Sequence, residues 1–268
     1  TLSAYPPVTH KGDAKGKRGG AIYLSILLGT SIGLLLPAVI ATHFLAGSTD
    51  FIAGGLLAVN EITPAISSVL LVLFAFGIGK AALMPVHPWL PNAMVAPTPV
   101  SALLHAVAVV KAGVFAMLKV GTYIFGPALI AITPAADALA WIAGISIVLA
   151  SVVAMTKDNL KARLAFSTVS QLSYVTLGVM LGSPLAMLGG ALQIVMHAWG
   201  KITLFMSAGA IYTATGKTEI SQMNGLGRYM PWLFGAYTVG ALSIIGLPPL
   251  GGSWPKLFLL QGAWDSGQ

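Results

Sequence analysis

The sequence predicts an all-α integral membrane protein, a multi-span helical bundle forming a single domain over residues 1–268, on three observations. Hydrophobic residues make up 56% of the chain, charged residues only 8%, and the mean hydropathy is +0.87, which sets it apart from soluble averages. The apolar residues gather into runs long enough to cross a bilayer as helices. Cysteine is absent, which excludes disulfide scaffolds, thiolate metal sites and Cys-ligated clusters. No cofactor is expected.

Seven spans are predicted, at 21–46, 63–84, 99–120, 137–156, 164–182, 185–213 and 231–262, from apolar runs that reach or exceed the ~20 residues that a helix needs to cross a ~30 Å hydrocarbon core. Between the first two, Phe51 to Val59 is too short to cross and reads as an interfacial turn of helix. Gly182-Ser183-Pro184 makes a tight connection, and Gly216 to Arg228 is the longest polar loop of the second half. Counting sides alternately, one side receives Lys11, Lys15, Lys17 and Arg18, then Lys157, Lys161 and Arg163, then Lys217 and Arg228. The other side receives essentially none, unless Lys119 snorkels there. The positive-inside rule therefore makes residues 1–20 and those two loops cytoplasmic, in a multi-pass protein of the cell's inner membrane. The net charge of +7 is spread over short loops and buried positions, without the continuous basic face that nucleic acid requires. The first residues carry no secretory signal. With no initiating Met and an end just after an apolar run, the chain is expected to be a fragment.

Lys80, Lys111, Lys201 and Lys256 lie within these spans, while all seven acidic residues sit at or beyond span ends. A central lysine costs roughly 2.5 to 3.5 kcal/mol on insertion scales, so each intramembrane lysine marks a functional position by default. Asp13, Asp50, Glu61, Asp137, Asp158, Glu219 and Asp265 are expected as solvated caps and loop charges.

Two spans are interrupted. The second ends in Leu83-Met84-Pro85-Val86-His87-Pro88-Trp89-Leu90-Pro91, and the seventh contains Gly246-Leu247-Pro248-Pro249-Leu250-Gly251-Gly252-Ser253-Trp254-Pro255. Proline removes a backbone donor and so frees carbonyls at membrane depth, which is tolerated where they line a cavity. Lys80 precedes Pro85 by five residues and Lys256 directly follows Pro255, the pattern by which transporters with discontinuous helices mark ion sites. Ordinary loops with a snorkelling lysine are the alternative.

In the sixth span Gln193, His197 and Lys201 recur every four residues and form one stripe. Ser101 and His105 are likewise four apart in the third span, and Lys111 follows six residues later, which places it on a different part of that helix's surface. Burial disfavours the charged forms of Lys and His, so a buried lysine can exchange a proton that a surface lysine near pKa ~10.4 holds at neutral pH. Lys80, His105, Lys111, His197, Lys201 and Lys256 are therefore suited to a proton relay with water between side chains. A structural hydrogen bond is the competing role for any single histidine. No two histidines have helical ligand spacing and no acid accompanies them, so no metal site is expected.

Lys80 to Gly113, reading KAALMPVHPWLPNAMVAPTPVSALLHAVAVVKAG, resembles the signature region of the proton-translocating antiporter-like subunits shared by respiratory complex I, Mrp-type sodium/proton antiporters and membrane-bound hydrogenases. KARLAFSTVSQLSYV from Lys161, HAWGKITLFMSAG from His197 and GLPPLGGSWPKLFLL from Gly246 agree. The resemblance implies a protein of about fourteen helices with two inverted-topology repeats of about five helices, each containing one lysine-bearing broken helix. On it, Lys80 and Lys256 match the broken-helix lysines. Lys111 and His105 match polar positions on the following helix of the first repeat, and His197 and Lys201 match connecting residues of the second. Lys256, where some members carry Glu, is similar to the Mrp D-type and to one complex I subtype. Asn92 stands where many members have Asp, which removes that acid from any role here. The family's glutamate partner of Lys80 is expected just upstream of Thr1, in a chain truncated at both ends.

The resemblance implies a proton-conducting subunit of a multisubunit monovalent cation/proton antiporter, working with other membrane subunits, protons, Na+ or K+ and the lipid bilayer. The alternative is the same fold driven by redox, in NADH:quinone oxidoreductase or a hydrogenase, with no catalytic chemistry of its own. A retinal protein linked through Lys256 would need an intramembrane carboxylate as counter-ion, and the spans contain none. A passive scaffold would not need buried lysines.

Overall fold

The computed structural model describes residues 2–10, 12–60 and 62–267. Lys11 and Glu61 lie outside the described residues. Eight helices carry the architecture: α1 (Ala14–Ala46), α2 (Pro64–Gly77), α3 (Thr98–Phe125), α4 (Pro134–Thr156), α5 (Leu160–Met180), α6 (Pro184–Thr215), α7 (Pro231–Ile245) and α8 (Ser253–Asp265). Among the described residues there is no named strand, only an isolated bridge between Asn159 and Glu219. By length and composition α1, α3, α4 and α6 are each long and apolar enough to cross a membrane.

Local chemistry sets the helix ends. The Asp13 carboxylate accepts from Gly16 N at 2.6 Å and so caps α1. Farther along α1, Pro37 cannot donate a backbone bond, and a π turn at Ser31–Leu35 lies just ahead of it. Proline occupies the first turn of α2, α4, α6 and α7, where its missing N–H costs nothing. Asn159 caps α5 by accepting from Ala162 N. The Phe51 to Val59 stretch contains a single turn, Leu56–Val59, with Leu56 and Leu57 buried.

Helix ends and apolar runs differ at both predicted breaks. The second apolar run continues to residue 84, but α2 stops at Gly77, and Lys80 sits in a following 3-10 turn, Gly79–Ala81. Ala82 then takes a left-handed conformation with φ 56°, which ends any helical continuation. The last run divides at Gly246, whose φ of 90° closes α7, and α8 begins at Ser253. Each break contains a cis X–Pro peptide, Met84–Pro85 and Pro248–Pro249.

α5 packs between α4 and α6, and α6 also packs against α7 and α8. Contacts between helices are close because glycines meet backbone there: a Cβ at Gly189 would press on Pro255 and Leu259 of α8, and one at Gly178 on Ala186 of α6. In lipid, small residues of this kind let helices gain van der Waals contact that no hydrophobic effect between helices supplies. Outward faces are apolar. Ile32, Leu36, Ile40 and Phe44 form an exposed stripe every four residues on α1, and Trp141, Ile145, Val148 and Val152 form one at spacings of four, three and four on α4, which suits a hydrocarbon surround.

The three basic segments meet at one end of the bundle. Gly19 of α1 lies against the backbone of Asn92 and against Val95, while Lys161 Nζ donates to the carbonyl of Ala96 at 2.7 Å. Leu160 N donates to Thr218 O, Ile220 N to Asp158 O, and Asn159 Nδ2 to Glu219 Oε1, clasping the α4–α5 loop to the segment after α6. Ser221 donates to Asp158 through its hydroxyl at 2.7 Å and its backbone N at 3.0 Å, and these bonds hold that carboxyl below its usual range. Asp13, Asp158 and Glu219 are thus caps and clasps.

Candidate functional site

α6 carries the centre of the site. Gln193, His197 and Lys201 are all buried, and Lys201 is 0% exposed. They rise along about 12 Å of helix, eight residues at ~1.5 Å each. The Lys111 Nζ of α3 meets Nδ1 of His197 in a direct side-chain contact. One turn away, Lys201 Nζ donates to the carbonyl of Leu164 at 3.0 Å and to the Ser167 hydroxyl at 2.9 Å, both on α5. Gln193 Nε2 donates to Gln171 Oε1 at 2.8 Å.

His105 is fully buried, and its ring centroid lies 5.1 Å from that of Phe205 on α6. Both of its ring nitrogens, and Nε2 of His197, lack a hydrogen-bond partner among the described residues. Lys111 and His105 do not diverge as a regular helix would have them do: both side chains reach α6. The cause is a π turn at Leu103–Val107 and a distorted Ala108, with φ −89° and ψ −71°. Between residues 105 and 111 the helix no longer advances by its regular angle, and such π turns are frequent at functional sites.

The two broken-helix lysines occupy different surroundings. Lys256, in the first turn of α8, donates to the carbonyls of Ile244 at 2.9 Å and Ile245 at 2.6 Å, the unpaired C-terminal end of α7. Its Nζ also lies 5.4 Å from the centroid of the Tyr174 ring, within cation–π range. Lys80 makes no side-chain hydrogen bond among the described residues. At its break the indole of Trp89, fully buried, donates to Gly79 O at 3.0 Å. Gly113 of α3 packs on the backbone of Lys80 and Ala81, which holds Lys111's helix against this break. Pro85 lies within the first break, Pro248 and Pro249 within the second, and Pro255 in the first turn of α8, buried.

The structure thus brings Lys111, His197 and Lys201 together, sets His105 beside the same helix, and leaves Lys80 and Lys256 at the two breaks. Ser167, Gln171 and Tyr174 of α5 did not emerge from composition or hydropathy. Their spacing of four and then three residues is the available signal, hidden in a helix where half of the other positions are also small or polar. No group of three or more His, Cys, Asp or Glu able to hold a metal ion occurs among the described residues.

The NADH:quinone oxidoreductase/Mrp antiporter transmembrane family matches residues 2–268. The chain is 36% identical over 247 residues to the chloroplastic NAD(P)H-quinone oxidoreductase subunit 5 of Zygnema circumcarinatum, covering 87% of this chain and 34% of that protein. It is 33% identical over 249 residues to NAD(P)H-quinone oxidoreductase chain 5 of a Picosynechococcus species, covering 87% and 36%. It therefore spans about a third of the length of the curated relatives it matches. Among solved structures, a chain of the Mrp complex from a Dietzia species superposes with a TM-score of 0.85 at 31% identity, covering 99% of this chain and 30% of that one. A chain of the membrane-bound sulfane sulfur reductase, an archaeal respiratory membrane complex, superposes with a TM-score of 0.85 at 26% identity, covering 100% and 54%.

Proposed function

This chain belongs to the NADH:quinone oxidoreductase/Mrp antiporter membrane family, and from that premise we propose that it is a proton-conducting part of a multisubunit monovalent cation/proton antiporter. Protons move along Lys80, Lys111, His105, His197, Lys201 and Lys256 with water between them, beside other membrane subunits. One observation carries the reading: Lys111 of α3 and His197 of α6 are in direct contact, and Lys201 is buried one turn away with no carboxylate bonded to it among the described residues. Neutral Lys and His can each take a proton, and passing it among them avoids holding several charges together in a low-dielectric interior. The unpartnered nitrogens of His105 and His197 are positions where bridging water would complete the path.

Seven spans with residues 1–20 in the cytoplasm are part of the proposal, supported by the meeting of the three basic segments at one end of the bundle. A second reading is the redox-driven form, favoured by relatives whose names are those of NAD(P)H-quinone oxidoreductase subunits. Proton flux measured in vesicles holding the full complex distinguishes them, by dependence on Na+ or K+ in the first case and on an electron donor in the second. In the full-length protein, Lys80→Ala, Lys201→Ala and Lys256→Ala are each expected to impair driven proton flux without loss of assembly. Normal flux in all three would sink the relay.

A further inference from the structure

Ser167, Gln171 and Tyr174 share one face of α5 and follow one another along it. Each faces a different group. Ser167 accepts from Lys201 Nζ at 2.9 Å, Gln171 accepts from Gln193 Nε2 at 2.8 Å, and the ring of Tyr174 lies 5.4 Å from Lys256 Nζ. The amide pair therefore stands between the lysine of α6 and the lysine of α8. Both amides are buried, Gln171 at 9% and Gln193 at 3% exposure.

A carboxamide donates and accepts hydrogen bonds but does not ionise in the range where Lys and His titrate. Lysine, histidine or a carboxylate at this point could store a proton in transit; two amides bonded to each other cannot. Two leucines would offer water no hydrogen-bond partner at this point. An amide pair does something else: closed, its one bond joins α5 to α6, and broken, it offers donors and acceptors to water without trapping charge.

We propose that the Gln171–Gln193 pair is the gate between the two halves of the relay, separating Lys111, His197 and Lys201 from Lys256 when closed and admitting bridging water when open. This rests on the relay reading of the site. In a coupled transporter such a gate prevents protons from running downhill when no partner ion or electron donor drives the cycle.

The test is passive proton leak in vesicles containing the full complex, with an imposed pH gradient and neither a cation gradient nor an electron donor. Gln171→Ala and Gln193→Ala are each expected to raise leak about fivefold, the change in open population that losing one neutral hydrogen bond implies. Lower driven flux with unchanged leak in both variants would assign the pair a structural role and overturn the gate. Should the alanine variants fail to assemble, Gln193→Glu keeps the shape and adds a titratable group, and it too is expected to raise leak; unchanged leak overturns the proposal equally. Lys201→Ala and Lys256→Ala in the same vesicles separate the two failures. Normal driven flux in those variants defeats the relay, whereas lost driven flux beside unchanged leak in the glutamine variants defeats the gate alone.

Discussion

At the break after α7 the lysine is part of the helix cap, whereas at the break after α2 it is not. Lys256 donates to the Ile244 and Ile245 carbonyls, so its ammonium sits on the negative end of α7. At the first break the Trp89 indole takes the Gly79 carbonyl, and the Lys80 side chain is left without a hydrogen bond among the described residues. In sequence the two motifs look alike, each a Pro-containing interruption with a lysine beside it. Accounting for freed backbone carbonyls separates them. One lysine must break bonds to its own fold before it can leave or reorient, and the other makes no such bond among the described residues.

The largest expected effect falls on the first break. Trp89→Ala removes a fully buried indole together with the Gly79 partner and is expected to destabilise the protein by about 3–5 kcal/mol, measured as the denaturation midpoint in detergent. An unchanged midpoint would show that something other than the indole holds this break. The next effect tests the contrast itself. Lys256→Met leaves the Ile244 and Ile245 carbonyls without their donor and is expected to cost about 1–2 kcal/mol, whereas Lys80→Met is expected to stay within about 0.5 kcal/mol. Equal losses in the two variants would erase the distinction between a capping lysine and an unbound one.

The smallest effect lies away from both breaks, at the Asp158–Ser221 clasp. Because the folded carboxyl lies below its usual value, its contribution is complete above the unfolded pKa of about 3.9 and is lost as pH falls through the folded value. Ser221→Ala is expected to move the Asp158 carboxyl back toward that ordinary value, followed by carboxyl infrared or carbon NMR titration. No movement would mean that the clasp does not depend on the serine.

Much of the helical plan follows from hydropathy because spans are selected by length and apolar content alone. The α6 stripe was legible for a related reason: Gln193, His197 and Lys201 are conspicuous against Ala, Leu and Ile at a helical spacing. Its counterpart on α5 was not, since Ser167 and Gln171 lie among Thr168, Ser170 and Ser173, and small hydroxyl residues in a helix more often bond their own backbone, as Thr168 and Ser173 do. The facing of Lys111 is not legible, because a regular 3.6-residue period does not hold across Leu103–Val107. Hydropathy cannot register a π turn, which leaves composition unchanged while rotating everything beyond it. The end of α2 at Gly77 was likewise invisible, as the apolar run continues past a backbone that has already left the helix.

Gly113 bears on how movement travels. A side chain there would overlap backbone atoms of Lys80 and Ala81, so α3 and the first break touch main chain to main chain, without a flexible group between them. Main-chain contacts of this kind have little slack, because a packed interior is nearly incompressible. A tilt of the broken segment must displace α3, and α3 carries Lys111 against His197 of α6. On the relay proposal, a shift of the first break and the Lys111–His197 contact are therefore linked through one glycine, two residues from that lysine.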